Sequence, residues 1–168
     1  RPGIALVGLD PDGRVAKTGT TLAAALSLRA RVTRVQDVPA GEAVGYGGRW
    51  TAPRHSRLAL LGIGYGDGLP YGLTGKGACV LLQGRRCPVV ATVMMDYLLV
   101  DATELPRAPV PGDVATVFGR DGEASISLEE QAALAGLIPY ALSCGLGARL
   151  QRVVAGARQT SASFRRAA

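Results

Sequence analysis

The chain has 168 residues, 48% of them apolar, and a formal net charge of +6 at pH 7. That length suits one ordinary domain with a proper core. No apolar run approaches the roughly 20 residues that cross a bilayer, and no basic stretch followed by an apolar segment marks a secretory leader, so a cytoplasmic protein without membrane partners is expected.

The charge points to no polyanion. Arg158, Arg165 and Arg166 lie in an acid-free tail, and without them the chain is only weakly basic. Its few aromatics do not alternate with Lys or Arg as a base-stacking surface requires, so no nucleic-acid partner is expected. Cys79, Cys87 and Cys144 form no C-x-x-C pair, and His55 is the single histidine. No metal site follows from such a set, and the thiols read as reduced and structural.

In chain order, "GIALVGL" (3–9) is a short apolar run that reads as a buried strand, ended by the turn-forming "DPDG". "LSLRARVT" alternates strictly, with Leu26, Leu28, Ala30 and Val32 on one side, and the phase slips at Arg34 and Val35 as a β-bulge would make it. Further strands are predicted at 43–50, 57–64, 77–83, 87–101 and 113–119. The "RLALLGIG" strand is nearly continuous in apolar residues and so covered on both faces. "PAGE", "QGRR", "VPGD" and "GRDGE" supply turns at spacings that suit an antiparallel meander or small barrel.

One helix stands out. Ser127 followed by Glu130 matches the S-x-x-E capping box, "LEEQAALA" supplies helix formers, and Gly136 falls where a C-terminal cap belongs. A second short helix is predicted to start at Pro139. The fold class is therefore mainly β: a small antiparallel Greek-key or barrel-like domain with one or two short helices. No apolar period continues past residue 156, which reads as a frayed tail.

Candidate chemistry sits where polar residues interrupt this pattern. Tyr46 in "AVGYGGRW" has glycines on both sides. Either the glycines serve a hairpin turn and the ring merely packs, or they present the phenol to another group. "GYGDG", with Tyr65 and Asp67, lacks the strand-to-helix context of a phosphate loop and reads as a tight turn. Asp96 in "VVATVMMDYLLV" either ends a strand pairing or faces a site. There is no G-x-S-x-G, and His55 has no carboxylate close in sequence, so triad hydrolysis is not expected.

Taken together, "RPGIALVGL", "PAGEAVGYGG", "LGIGYGDGLP", "PVVATVMMD", "PGDVATVFG", "ISLEEQA" and "IPYALSCGLGARLQRVV" follow one another in an order that resembles the C-terminal part of alanine racemases. These are pyridoxal-phosphate-dependent isomerases that make D-alanine for peptidoglycan precursors. The resemblance runs from Arg1 to about Val154. It implies that residues 1–24 hold a single last strand of an α/β barrel and a connector, and that 25–155 form the C-terminal β domain.

It further implies that Tyr46 is a catalytic base supplied to the partner subunit's active site in a homodimer, with a lysine working on the opposite face of the substrate. A phenol ordinarily titrates near 10, so such a base needs positive charge nearby. By the same resemblance, Arg1 bonds the pyridine nitrogen of the cofactor, and Gly3, Ile4 and Tyr140 hold its phosphate. The Met95 amide meets the substrate carboxylate, and Tyr65 and Asp96 line the access channel.

No lysine stands in a family lysine motif, since the only ones are Lys17 and Lys76. The chain alone is therefore expected to be inactive, as part of a larger enzyme acting on alanine. A standalone binding module with the same fold and no catalysis is the alternative. Tyr71, Ala91, Thr92 and Ala141 depart from the residues usual in the family, and two of these departures remove arginines from the channel.

Overall fold

The computed structural model describes residues 3–10 and 12–154. Among the described residues nine strands are formed: β1 (Leu28–Val38), β2 (Ala43–Val44), β3 (Trp50–Thr51), β4 (Ser56–Leu61), β5 (Cys79–Leu82), β6 (Arg85–Val90), β7 (Leu98–Asp101), β8 (Val114–Asp121) and β9 (Ala124–Ile126). Two helices follow, α1 (Leu128–Leu134) and α2 (Pro139–Gly145). The large sheet runs in the order β1-β4-β7-β6-β5-β8-β9, and β1 also pairs with β8. That last pairing closes six antiparallel strands into a barrel, which leaves no open edge between β1 and β8.

β1 is long enough to serve two neighbours. Its first half pairs with β8 through Leu28 to Arg31, and its second half pairs with β4 through Val32 to Val38. The register shifts between Val32 and Arg34, which is the predicted bulge; the kink lets one strand turn the barrel corner. Leu28, Ala30 and Val32 point inward, but Leu26 lies before the strand and is exposed.

β4 is buried on both faces, as its continuous apolar run predicts. Ala59 and Leu61 join the main core with Val80, Leu82, Leu98, Val100, Ala115 and Val117. Leu58 faces the other way, into a second cluster with Val38, Ala52, Val90, Ala91 and Leu99, against which Val44 and Trp50 pack. This second cluster seats the β2–β3 ribbon on the outside of the barrel.

Helix α1 is anchored as expected at its start: Ser127 Oγ accepts a hydrogen bond from the Glu130 N–H at 3.0 Å. Glu130 does not complete the capping box, because its carboxylate pairs with Arg86 on β6 at 2.5 and 3.0 Å. At the other end, the Gly136 and Leu137 N–H groups donate to Ala133 and Ala132, closing the helix just past Ala135. Gln131, buried, donates from Nε2 to the carbonyls of Cys79 and Val117, so one side chain ties α1 to β5 and β8. Helix α2 starts at Pro139 as predicted.

Three expectations are corrected. Residues Gly3–Val7 form a 3-10 helix, where the apolar run 3–9 reads as a strand; no neighbouring strand supplies ladder partners for this run among the described residues, and local i to i+3 bonds take their place. The 43–50 strand is split into β2 and β3 by a 3-10 turn at Tyr46–Gly48. The 87–101 strand is split into β6 and β7 by residues 91–97, which leave the ladder to form part of the site described next. β9, which follows the "GRDGE" turn and is not among the predicted strands, pairs with the end of β8.

Candidate active site

Tyr46 stands at the tip of the β2–β3 ribbon, where Ala43 pairs with Thr51 and Val44 with Trp50. Tyr46 is 74% exposed, so the glycines present the residue rather than bury it. Gly45 explains the local geometry. Its φ of 82° with a ψ of 178° falls in a region essentially confined to glycine, which costs an L-residue roughly 1–3 kcal/mol, and a Cβ there would stand 2.6 Å from the Cβ of Ala91. Only a glycine lets the ribbon lie this close to residue 91.

Ala91 itself has a φ of 58° and opens the 91–97 segment. Next to it, Thr92 is buried and its Oγ1 finds no hydrogen-bond partner among the described residues. Val93 N–H donates to Thr74 Oγ1 at 3.1 Å, and Met94 N–H donates to the Tyr97 carbonyl at 3.0 Å. The segment then meets "GYGDG". Tyr65 N–H donates to the Met94 carbonyl at 2.9 Å and Gly66 N–H to the Met95 carbonyl at 2.8 Å. A Cβ on Gly64 would lie 2.2 Å from the Met94 oxygen, so that turn also requires glycine for close approach.

A trans peptide points its N–H away from its C=O. With the Met94 and Met95 carbonyls turned toward residues 64–67, the N–H groups of Met95 and Asp96 face the opposite side, and neither donates to an acceptor among the described residues. Two adjacent free N–H groups are suited to hold an anion. Around them stand half-exposed rings: Tyr65 and Tyr71 make an edge-to-face pair with centroids 6.4 Å apart, and Tyr97 and the Met95 side chain are also exposed.

Charge is concentrated behind this turn. Asp67 accepts the Gly64 N–H on Oδ2 at 3.0 Å, while Arg149 donates from Nε to Asp67 Oδ1 at 3.1 Å and lies 2.8 Å through Nη2 from Asp96 Oδ1. Asp96 first, then Asp67, holds the Arg149 guanidinium above its ordinary value through hydrogen bonds. Sequence reasoning did not single out Arg149, because its partners lie 82 and 53 positions away. The visible signal is a lone cation inside the apolar "GLGARL".

The structure thus brings Tyr65, Met95 and Asp96 together and sets the Tyr46 turn against the start of the same segment. Tyr140 is half-exposed on the first turn of α2, and the end of α2 abuts the 64–68 turn, where a Cβ on Gly68 would meet the Gly145 oxygen at 2.1 Å. No hydrogen bond ties Tyr140, Gly3 or Ile4 to the Met95 group among the described residues. Arg1 lies outside the described residues. A cavity of about 380 Å³ lined by Arg86, Cys87 and Asp101 shares no residue with this group. Burial pushes the Cys87 thiol up to about 11, so it is protonated and unreactive at neutral pH.

The described residues thus form a closed β barrel that carries an outward tyrosine on a glycine-framed ribbon, beside a turn with two free N–H groups. Residues 25–154 match the family model of the alanine racemase C-terminal domain, and the chain belongs to that family. It is 42% identical over 153 residues to an alanine racemase of Methanococcus maripaludis, covering 91% of this chain and 40% of that protein. Among solved structures, the alanine racemase of Streptomyces coelicolor superposes with a TM-score of 0.83 at 32% identity, covering 94% of this chain and 40% of that one. An alanine racemase of Bartonella henselae, solved with covalently bound pyridoxal phosphate, gives 0.80 at 36% identity over 90% and 40%. The chain spans about two fifths of the length of these relatives.

Proposed function

We propose that this chain is the C-terminal part of a cytoplasmic, homodimeric racemase that interconverts L- and D-alanine, and that Tyr46 moves the α-proton on one face of the substrate. The observation that carries this reading is the Tyr46 phenol, exposed at the tip of a ribbon whose backbone is shaped by Gly45, in a domain of the alanine racemase family.

Pyridoxal phosphate fits the described residues in part. The Tyr140 side chain is half-exposed, and Gly3 has a φ of 56° with open space where a Cβ would stand, so its backbone is accessible. Tyr140, Gly3 and Ile4 would hold the phosphate, with Arg1 at the ring nitrogen. Lys17 and Lys76 both sit on exposed turns, and in this reading the amine that anchors the cofactor aldehyde comes from outside these 168 residues. When bound, the cofactor acidifies the α C–H bond by drawing its electron pair toward the pyridine ring.

The residues of this chain do the rest. The Met95 N–H, backed by the 64–67 turn, donates to the substrate carboxylate and fixes which bond faces Tyr46. Tyr46 Oη takes or returns the proton on that face. A phenol serves as a base at neutral pH only beside a cation, which in this reading lies outside the described residues. Tyr65, Tyr97 and Met95 line the approach and limit its width.

Replacing Tyr46 with Phe in the complete enzyme removes the hydroxyl and little else. Turnover in at least one direction is expected to fall by several orders of magnitude, about the 10²–10⁴ of a proton-transfer group or more. Unchanged turnover in both directions, followed by deuterium exchange at the α-carbon, refutes the role. A binding module without catalysis is favoured only by the exposed Leu6 and Val7 in the N-terminal segment; the coding sequence upstream of Arg1 decides between the two readings.

A further inference from the structure

The anion-ready turn has an electrostatic problem. Asp96 carries a carboxylate on the residue next to Met95, and Asp67 adds a second carboxylate from the supporting turn, with its side chain only 13% exposed. Two like charges behind a pair of N–H groups repel any carboxylate that approaches them. Arg149 is the cation that meets both, at 3.1 Å and 2.8 Å. Its placement is built in rather than incidental. Gly147 N–H donates to the Asp67 carbonyl at 2.8 Å, and Arg152 donates to the carbonyls of Leu146 and Gly147, so the segment bearing Arg149 is fixed to both the turn and α2. Gly66 leaves room for the guanidinium, since a Cβ there would lie 2.6 Å from its Nη2.

We infer that Arg149 is a positioning residue for carboxylate capture: it offsets Asp67 and Asp96 behind the Met95 amide and clamps the 94–97 turn onto the 64–67 turn. This rests on the racemase reading of the site. Arg149 does not touch the substrate in this account; it sets the potential and the orientation of the N–H groups that do.

The test uses the complete enzyme and propionate, a carboxylate that lacks the reacting amine, with its affinity read by calorimetry alongside steady-state alanine kinetics. Arg149→Ala is expected to weaken propionate and raise the KM for alanine by about tenfold, a size appropriate to one uncompensated charge a few ångströms away in a partly solvated site, while kcat changes by less than about threefold. Arg149→Lys keeps the charge and recovers most of the affinity, less the geometric fit of the planar fork. Arg149→Ala combined with Asp96→Asn recovers part of the loss.

Asp96→Asn alone leaves Arg149 less compensated and binds propionate at least as tightly as the parent. This variant retains a folded clamp through Asp67, so it reads the idea even where Arg149→Ala does not fold. Unchanged propionate affinity in Arg149→Ala, no recovery in the double variant, or weaker binding in Asp96→Asn overturns the inference. Absence of racemisation in the parent enzyme overturns the functional reading instead, and the propionate measurements still decide the role of Arg149.

Discussion

Gly45 shows how a single missing side chain carries a functional element. Its left-handed φ and its 2.6 Å virtual contact with Ala91 are separate constraints, and they separate experimentally. Gly45→Ala is expected to destabilise the protein by about 3 kcal/mol or more, combining roughly 1–3 from the backbone with a similar overpacking cost. Adding Ala91→Gly removes the clash and also relieves the left-handed φ of residue 91, so Ala91→Gly alone is measured as the reference and the coupling between the two changes gives the overpacking share. Urea unfolding of the single and double variants reads both numbers; a Gly45→Ala variant as stable as the parent contradicts this account. That glycines frame Tyr46 is plain in the sequence. That one of them also makes room for residue 91 is not, because the approach joins positions 46 apart.

Among the elements, α1 tests how far local signals reach. Its N-cap and its end past Ala135 are written in adjacent residues, and both form as read. The partner of Glu130 is not, because Arg86 arrives from β6. That bond to Arg86 holds the Glu130 carboxyl below its ordinary range. A depressed carboxyl contributes stability that is fully present above its unfolded value of about 4.3 and is lost as pH falls through the folded value. The pair is part-exposed, with side chains 48% and 36% accessible, so the contribution is small, at most about 1 kcal/mol. Thermal melts between pH 6 and 3 are expected to show a shallower acid decline for Glu130→Gln than for the parent, with the two converging at the acid end. Identical slopes remove the pair from the stability account.

At the scale of the whole molecule, the barrel and the N-terminal segment behave differently. β1 closes the barrel by pairing on both sides, whereas residues 3–9 lie outside the sheet with Leu6 75% exposed. On the functional reading, the isolated 168-residue chain is expected to fold but to trap no stoichiometric pyridoxal phosphate on borohydride reduction, since neither Lys17 nor Lys76 lies in the site. Intact-mass measurement after reduction checks this, and one full equivalent on either lysine overturns it.

The sequence by itself determined what depends on near neighbours: the alternation and bulge of β1, the doubly covered β4, the cap of α1, the start of α2 and the glycines around Tyr46. Those signals are local because strand period, capping and left-handed backbone are set within a few residues. Only the tertiary structure decided that residues 91–97 leave the ladder, that Gln131 ties α1 to two strands, and that Arg149 meets Asp67 and Asp96. Each of these joins groups far apart along the chain, and such contacts form only once barrel closure has fixed which segments lie side by side.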